Sequence, residues 1–292
     1  MSHLLEYAHR TAATRLGDIS YLDRGDGPVA LFVHGIGTNA LLWRNVIELV
    51  SPSRRCVAVD LPLLGLSPFS PDQDVSLGGL ADIVLSFVDA LGVERVDPVG
   101  HDTGGAVAQV FAARYAHRLS TLTLLNCDTQ DNIPPAGFQA TVDLARAGSL
   151  APLAPGLLAD LSAAREAVFA MGYGHADHPG VDVVRSFLEP VLGTPDRARQ
   201  FERMLSALEP DDLIAAAPAL RQLDVPTLIV RGTADSLFDV RWAFWLRDLI
   251  PGATEVIELA GARLFFPDER ADELVPFLRN HWSVVLNCDR DA

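Results

Sequence analysis

Five consecutive residues, Gly100-His101-Asp102-Thr103-Gly104, hold the clearest chemical potential in the chain. An apolar run precedes them and helical text follows, so a strand-to-helix turn would present the Asp102 carboxylate at its tip. Glycines two before and two after fit a strained turn in which backbones approach too closely for side chains. Helix capping would explain the aspartate but not both glycines. A carboxylate presented this way can attack carbon and form an ester, or move a proton, and a dry pocket would raise its pKa.

The elements that must position it alternate. Residues 28–34 (Pro-Val-Ala-Leu-Phe-Val-His) and 55–60 (Arg-Cys-Val-Ala-Val-Asp) are short apolar runs ending in turns, which predicts strands buried on both faces. Between them Leu41, Leu42, Val46, Ile47 and Leu49 recur near helical spacing after Thr38-Asn39, a pair able to cap a helix. The pattern continues with a helix over about 76–91, a strand near 95–100, a helix over 104–116 and a strand near 120–126, the text of a doubly wound α/β sheet. From 131 to 220 strands give way to Ala-, Leu- and Pro-rich helical text, read as an inserted helical cap. Sheet text resumes at 225–230, with a helix over 239–249, a strand over 254–259 and a last helix over 268–282. The expected division is a core of 1–130 and 221–292 with a cap of 131–220.

Composition narrows the function. At 49% hydrophobic and 21% charged, the 292 residues suit a globular protein rather than a disordered or fibrous one. A net charge of −15 repels phosphate backbones and anionic headgroups, which argues against nucleic-acid and membrane partners. The start soon reaches Arg10 and Arg15 without a signal-length apolar core, and no run of about 18 apolar residues occurs, so a cytoplasmic protein is expected. Cys56, Cys127 and Cys288 lie far apart, and read as free thiols rather than a metal or disulfide framework. Neither a cofactor nor a metal is expected; a homodimer is left open.

Four landmarks fall in order along the chain: His34-Gly35, the Asp102 turn, Asp235 in Arg231-Gly232-Thr233-Ala234-Asp235, and residues 261–270. Their order and context resemble the α/β-hydrolase superfamily. The Gly-His-Asp-x-Gly-Gly form, with Leu42-Trp43-Arg44-Asn45-Val46-Ile47, resembles its epoxide hydrolase and haloalkane dehalogenase branch. The resemblance implies Asp102 as nucleophile, an alkyl ester on it that water cleaves, and an oxyanion hole at the Ile36 and Thr103 amides. It implies Asp235 as the acid that orients a catalytic histidine, with Asp128, slightly late after the earlier strand, as the alternative. His34 and His101 would shape the turn rather than act.

The last landmark departs from the pattern. Where the branch has Gly-x-Gly-His and an aromatic, this chain reads Gly261-Ala262-Arg263-Leu264-Phe265-Phe266. Leu264 falls at the histidine position, or Arg263 on a one-residue shift, and neither accepts a proton near neutral pH. Three readings compete: a base from the cap stretch Gly172-Tyr173-Gly174-His175-Ala176-Asp177-His178, a non-hydrolytic reaction such as ring opening, cyclisation, elimination or isomerisation, or ligand binding alone. Dehalogenases of the branch carry Trp after the nucleophile and Asn after His-Gly, where this chain has Thr103 and Ile36. Fluoroacetate dehalogenases hold a carboxylate with Arg near the elbow, where Thr103 and Ala106 stand. Epoxide hydrolases use cap tyrosines, of which Tyr173 alone is present. Trp43, Tyr173, His175, His178, Leu264 and Phe265 are the expected substrate-binding residues, with Phe138, Phe169 and Phe187 as further apolar lining. A small or medium apolar molecule is the expected substrate. Trp242 and Trp245, three apart on a helix, read as packing.

Overall fold

Val29–Val33 is apolar at every position and buried throughout, as a strand covered on both faces must be. The computed structural model describes residues 8–288, with side chains through Ser283; the expectations placed on residues 1–7 and on the Cys288 thiol fall outside the described residues. Strands β1 (Arg10–Thr14), β2 (Gly17–Arg24), β3 (Val29–Val33), β4 (Arg55–Val59), β5 (Asp97–Asp102), β6 (Leu122–Cys127), β7 (Thr227–Gly232) and β8 (Ala253–Leu259) form one sheet in the order β1-β2-β4-β3-β5-β6-β7-β8. From β4 to β8 all pairings are parallel, while β1 pairs with β2, and β2 with β4, antiparallel. The sheet is therefore mostly parallel and doubly wound, as expected. β1 and β2 lack the apolar runs that signal β3, β4, β6 and β7: β1 has one buried residue of five.

Helices cover both faces. α1 (Arg44–Val50) and α12 (Ala271–Cys288) pack together on one side, α2 (Leu77–Ala90) and α3 (Thr103–Tyr115) on the other, and α10 (Val240–Leu249) bridges β7 and β8. The last helical stretch is broken at Arg270, with the short α11 (Phe266–Glu269) ahead of α12. Cys56 and Cys127 are buried and free. Among the described residues no helix is long and apolar enough to cross a membrane.

Between β6 and β7 there are only helices: α4 (Gln139–Arg146), α5 (Ala154–Ala159), α6 (Leu161–Ala164), α7 (Val181–Leu192), α8 (Pro195–Ser206) and α9 (Asp211–Leu220). α4 and α8 pack on each other, as do α7 and α8, whereas α9 packs on α3 and α2. The helical layer over the cavity thus ends near residue 210, and α9, inside the expected 131–220 cap, belongs by its contacts to the sheet's own flank. Ala216, Ala217 and Leu220 turn inward there, an apolar stripe that sequence alone does not assign to one partner or the other.

The strand order reverses between β3 and β5, so chain leaving β3 turns one way and chain leaving β5 the other. A crevice opens beyond the C-terminal ends of strands at such a point. Ile36 follows β3 and Asp102 ends β5, which places both at its rim.

Candidate active site

Asp102 sits at φ 56° and ψ −132°, a region non-glycine residues seldom occupy and one that costs on the order of 1–3 kcal/mol. Its glycine neighbours make the turn possible. A Cβ on Gly104 would lie 2.3 Å from the carbonyl oxygens of Val33 and His34, and one on Gly35 would lie 2.1 Å from Asp102 Oδ1. With neither present, the start of α3 closes on the end of β3. The Ile36 and Thr103 amides then both donate to Asp102 Oδ1, at 2.9 and 2.6 Å. That leaves Oδ2 as the oxygen to meet a molecule in the cavity.

Two buried imidazoles support this turn. His34 Nε2 accepts from the Leu61 amide at 3.0 Å, so Nδ1 carries the proton and donates to Gly35 O at 2.9 Å. Burial lowers the His34 pKa and favours that neutral form. His101 Nε2 lies 2.8 Å from Leu264 O, and burial lowers its pKa to about 4, so the neutral ring donates to the carbonyl.

Two carboxyl groups, Asp102 and Asp128, line the cavity, and the charge of a third, Asp235, reaches Asp102. Burial raises the Asp102 pKa to about 6, against the lowering effect of the Thr103 and Ile36 amides, and the charge of Asp235 pushes it further. Asp235 is also raised to about 6 by burial; its Oδ1 accepts from the Leu237 amide at 2.8 Å and its buried Oδ2 has no partner. Asp128 is only 2% exposed, and burial together with the Asp102 charge lifts its pKa well above the usual carboxylate range. Its Oδ2 accepts from Thr103 Oγ1 at 2.8 Å, and its Oδ1 is buried without a partner. Gln109 on α3 fixes the loop by donating to Asp128 O at 2.8 Å. Among the described residues no group of three or more His, Cys, Asp or Glu is placed to hold a metal ion.

A cavity of about 130 Å³ joins the sheet rim to the helical layer. Ile36, Asp102, Thr103 and Asp128 supply one wall with Leu264 and Phe265, and Phe138, Phe169, Leu188 and Phe201 supply the cover. The lining is almost wholly apolar, and among the described residues it contains no histidine. Asp235 is not among its lining residues, although Leu237 and Phe238, whose loop it belongs to, are.

The other expected contacts need correction. Trp43 and Phe187 are fully buried and do not line the cavity; Trp43 packs against Phe32 and His101 instead. Tyr173, His175 and His178 are absent from the lining too. The Tyr173 hydroxyl donates to Asp268 Oδ2 at 2.8 Å, and Arg44 pairs with the same carboxylate at 2.6 Å. Glu269 accepts from the Gly174 and His175 amides, at 2.8 Å each, and Arg263 donates to Ala170 O and Tyr173 O. This stretch clamps the helical layer to the loop after β8, so the Tyr173 hydroxyl and the Gly174 and His175 amides are spent on docking. Arg263 is engaged in that clamp, while Leu264, one residue on, faces the cavity. Sequence reading missed Asp128 as a cavity residue; the signal available was its place just beyond β6, the neighbour of β5. Trp242 and Trp245 meet edge to face at 6.1 Å, the packing expected of them.

A strand-turn-helix carboxylate, two amides converging on it and a helical cover over a doubly wound sheet define a recognisable class. Residues 28–269 match the alpha/beta hydrolase fold family, and the chain belongs to that family. Among its relatives is a haloalkane dehalogenase of Mesorhizobium japonicum, 38% identical over 108 residues, 37% of this chain and only 35% of that protein's length. A cis-3-alkyl-4-alkyloxetan-2-one decarboxylase of Shewanella oneidensis is 25% identical over 95% of this chain and 89% of its own. The epoxide hydrolase CorEH superposes with a TM-score of 0.79 at 19% identity, covering 95% of this chain and 99% of that one, a likeness of fold.

Proposed function

We propose that this hydrolase-fold enzyme uses Asp102 as a nucleophile toward a saturated, electrophilic carbon of a small or medium apolar molecule. The observation that carries the reading is the pair of amides on Oδ1. They hold the carboxylate by one oxygen and leave the other to attack. They are also placed for the oxyanion that forms when the ester carbonyl is later attacked by water, so one arrangement serves both steps. Kinship with haloalkane dehalogenases and the fold likeness to an epoxide hydrolase support an alkyl-ester intermediate. The apolar lining favours an apolar substrate and dries the carboxylate, which sharpens its nucleophilicity. Asp235, with its free Oδ2, acts as an electrostatic neighbour rather than as the orienter of a cavity histidine.

A second reading is favoured by the lack of any lining histidine and by the near full-length similarity to an oxetanone decarboxylase. A four-membered lactone attacked by Asp102 at its ring-oxygen-bearing carbon would open to a substrate carboxylate and an Asp102 ester. Loss of CO₂ would then send an electron pair into a new C=C bond and expel Asp102 as carboxylate. No water and no added proton are consumed, so this chemistry needs no base.

Incubation with 1,2-epoxyhexane, 1-bromohexane and a cis-3,4-dialkyl β-lactone, followed by intact mass and peptide mapping, tests both. An ester on Asp102 that disappears in Asp102→Asn is expected for the first reading, and alkene with CO₂ from the lactone for the second. Adduct formation that is unchanged in Asp102→Asn would remove Asp102 from either role.

A further inference from the structure

The site holds a second buried carboxyl group that the nucleophile reading leaves unused. Asp128 lines the same cavity as Asp102 and is tied to it through one residue: the Thr103 amide donates to Asp102 Oδ1 and the Thr103 hydroxyl donates to Asp128 Oδ2. Gln109 fixes the Asp128 backbone, and the Thr103 hydroxyl bond holds the buried carboxyl itself. Its Oδ1 is buried with no partner in the protein. An orphaned buried oxygen is costly, and the arrangement is relieved when a bound molecule completes the hydrogen bond.

Resting on the nucleophile reading above, we propose that Asp128 is the acid and then the base of this site, doing the work of a histidine for substrates whose departing atom is oxygen, epoxides first among them. Two carboxyl groups this close favour carrying one charge between them, as paired buried acids do. Asp102 takes the charge because two amides stabilise it, and Asp128 keeps the proton, which fits its upward-shifted pKa.

The cycle then balances. Asp102 Oδ2 attacks a ring carbon, the carbon–oxygen bond breaks, and the proton on Asp128 Oδ1 passes to the departing oxygen. A hydroxyalkyl ester stands on Asp102 and the charge has moved to Asp128. Water next attacks the ester carbonyl, giving one proton to the Asp128 carboxylate while the oxyanion lies against the Ile36 and Thr103 amides. Collapse expels the alkoxide, which takes the water's second proton. Diol leaves, Asp102 is again a carboxylate, and Asp128 is again an acid. A halide needs no proton to depart, so the device discriminates between leaving groups.

Single-turnover ester formation, read by intact mass with 1,2-epoxyhexane and with 1-bromohexane, tests this in the wild type, Asp128→Asn and Asp102→Asn. A general acid is worth about 10²- to 10⁴-fold, so Asp128→Asn is expected to lower the epoxide-to-bromide ratio of rates by about 100-fold or more. The hydroxyhexyl ester formed from the epoxide, the one that leaves Asp128 as a carboxylate, is expected to outlive that of the wild type by a similar factor. Equal losses on both probes, as a purely structural residue would give, or no loss on either, would overturn the role of Asp128 and leave Asp102 as nucleophile. Wild-type ester from the bromide alone would do the same. Absence of an Asp102 ester from both probes would overturn the nucleophile reading itself.

Discussion

At the Asp102 turn, a carboxylate is held by amides of its own strand-turn-helix unit and of the neighbouring β3 turn, and one oxygen is left over. At the loop of residues 172–178, a tyrosine hydroxyl and two backbone amides are also gathered near the cavity, yet each already donates to Asp268 or Glu269. The first region keeps an unsatisfied group facing a dry space. The second satisfies its groups across an interface and so becomes a fastener. Proximity of titratable residues to a pocket therefore says little about chemistry; the state of their hydrogen bonds decides it.

The largest effect should come from the glycine that lets the turn close. In Gly104→Ala the new Cβ would meet two backbone carbonyl oxygens at 2.3 Å, and neither can move without shifting the end of β3. A destabilisation above about 4 kcal/mol, or failure to fold, is expected, the size reserved for strain at a special backbone position. Urea unfolding of the variant measures it, and a loss under about 1 kcal/mol would mean the turn is looser than the contacts show.

Next in size is the pH dependence of ester formation. Attack requires the Asp102 carboxylate, whose pKa burial raises to about 6. With 1-bromohexane, which needs no acid, the rate is expected to be level above that pH and to fall about tenfold per unit below it, near 100-fold by pH 4. Stability runs oppositely: a carboxyl whose folded pKa is raised favours the folded state at low pH, and that contribution is lost as pH climbs from about 4 through about 6. A rate profile with its midpoint near 4 would show that Asp102 is not held in a dry site.

Much of the first region was legible in the sequence because Gly100, Asp102 and Gly104 are constraints on backbone geometry, and geometry of that kind is local. Strands β3, β4, β6 and β7 were legible for a related reason: burial on both faces leaves short, mostly apolar runs. β1 was not, since it is an edge strand with a single buried residue, and β2, though buried over Ile19–Leu22, mixes Ser20 and Tyr21 into a stretch flanked by Asp18 and Asp23. The roles of the Tyr173 hydroxyl and the His175 amide were illegible because their partners, Asp268 and Glu269, lie more than 90 residues away and acidic residues near a helix start read as ordinary first-turn charge. Asp128 was visible only as an alternative acid, because its relation to Asp102 depends on β6 lying beside β5.

The fastener should respond in stability more than in rate. Tyr173→Phe removes one donor from the buried Asp268, which keeps Arg44 and the Asn45 amide, so a loss of about 1–3 kcal/mol in urea unfolding is expected. Ester formation on Asp102 should change by less than about threefold.

The smallest effect is expected at His178, which is exposed and whose ring meets those of Tyr173 and His175 at 6.5 and 5.8 Å between centroids. In His178→Ala the hydroxyl-to-Asp268 bond and the Glu269 amide pair both remain, so stability should move by less than about 0.5 kcal/mol. The lifetime of the Asp102 ester should be unchanged. That lifetime is the decisive readout: if His178→Ala lengthened it tenfold, the loop would be supplying a base to the cavity from outside its observed lining. The contrast between a satisfied fastener and an unsatisfied site would then fail at the residue where it makes its weakest demand.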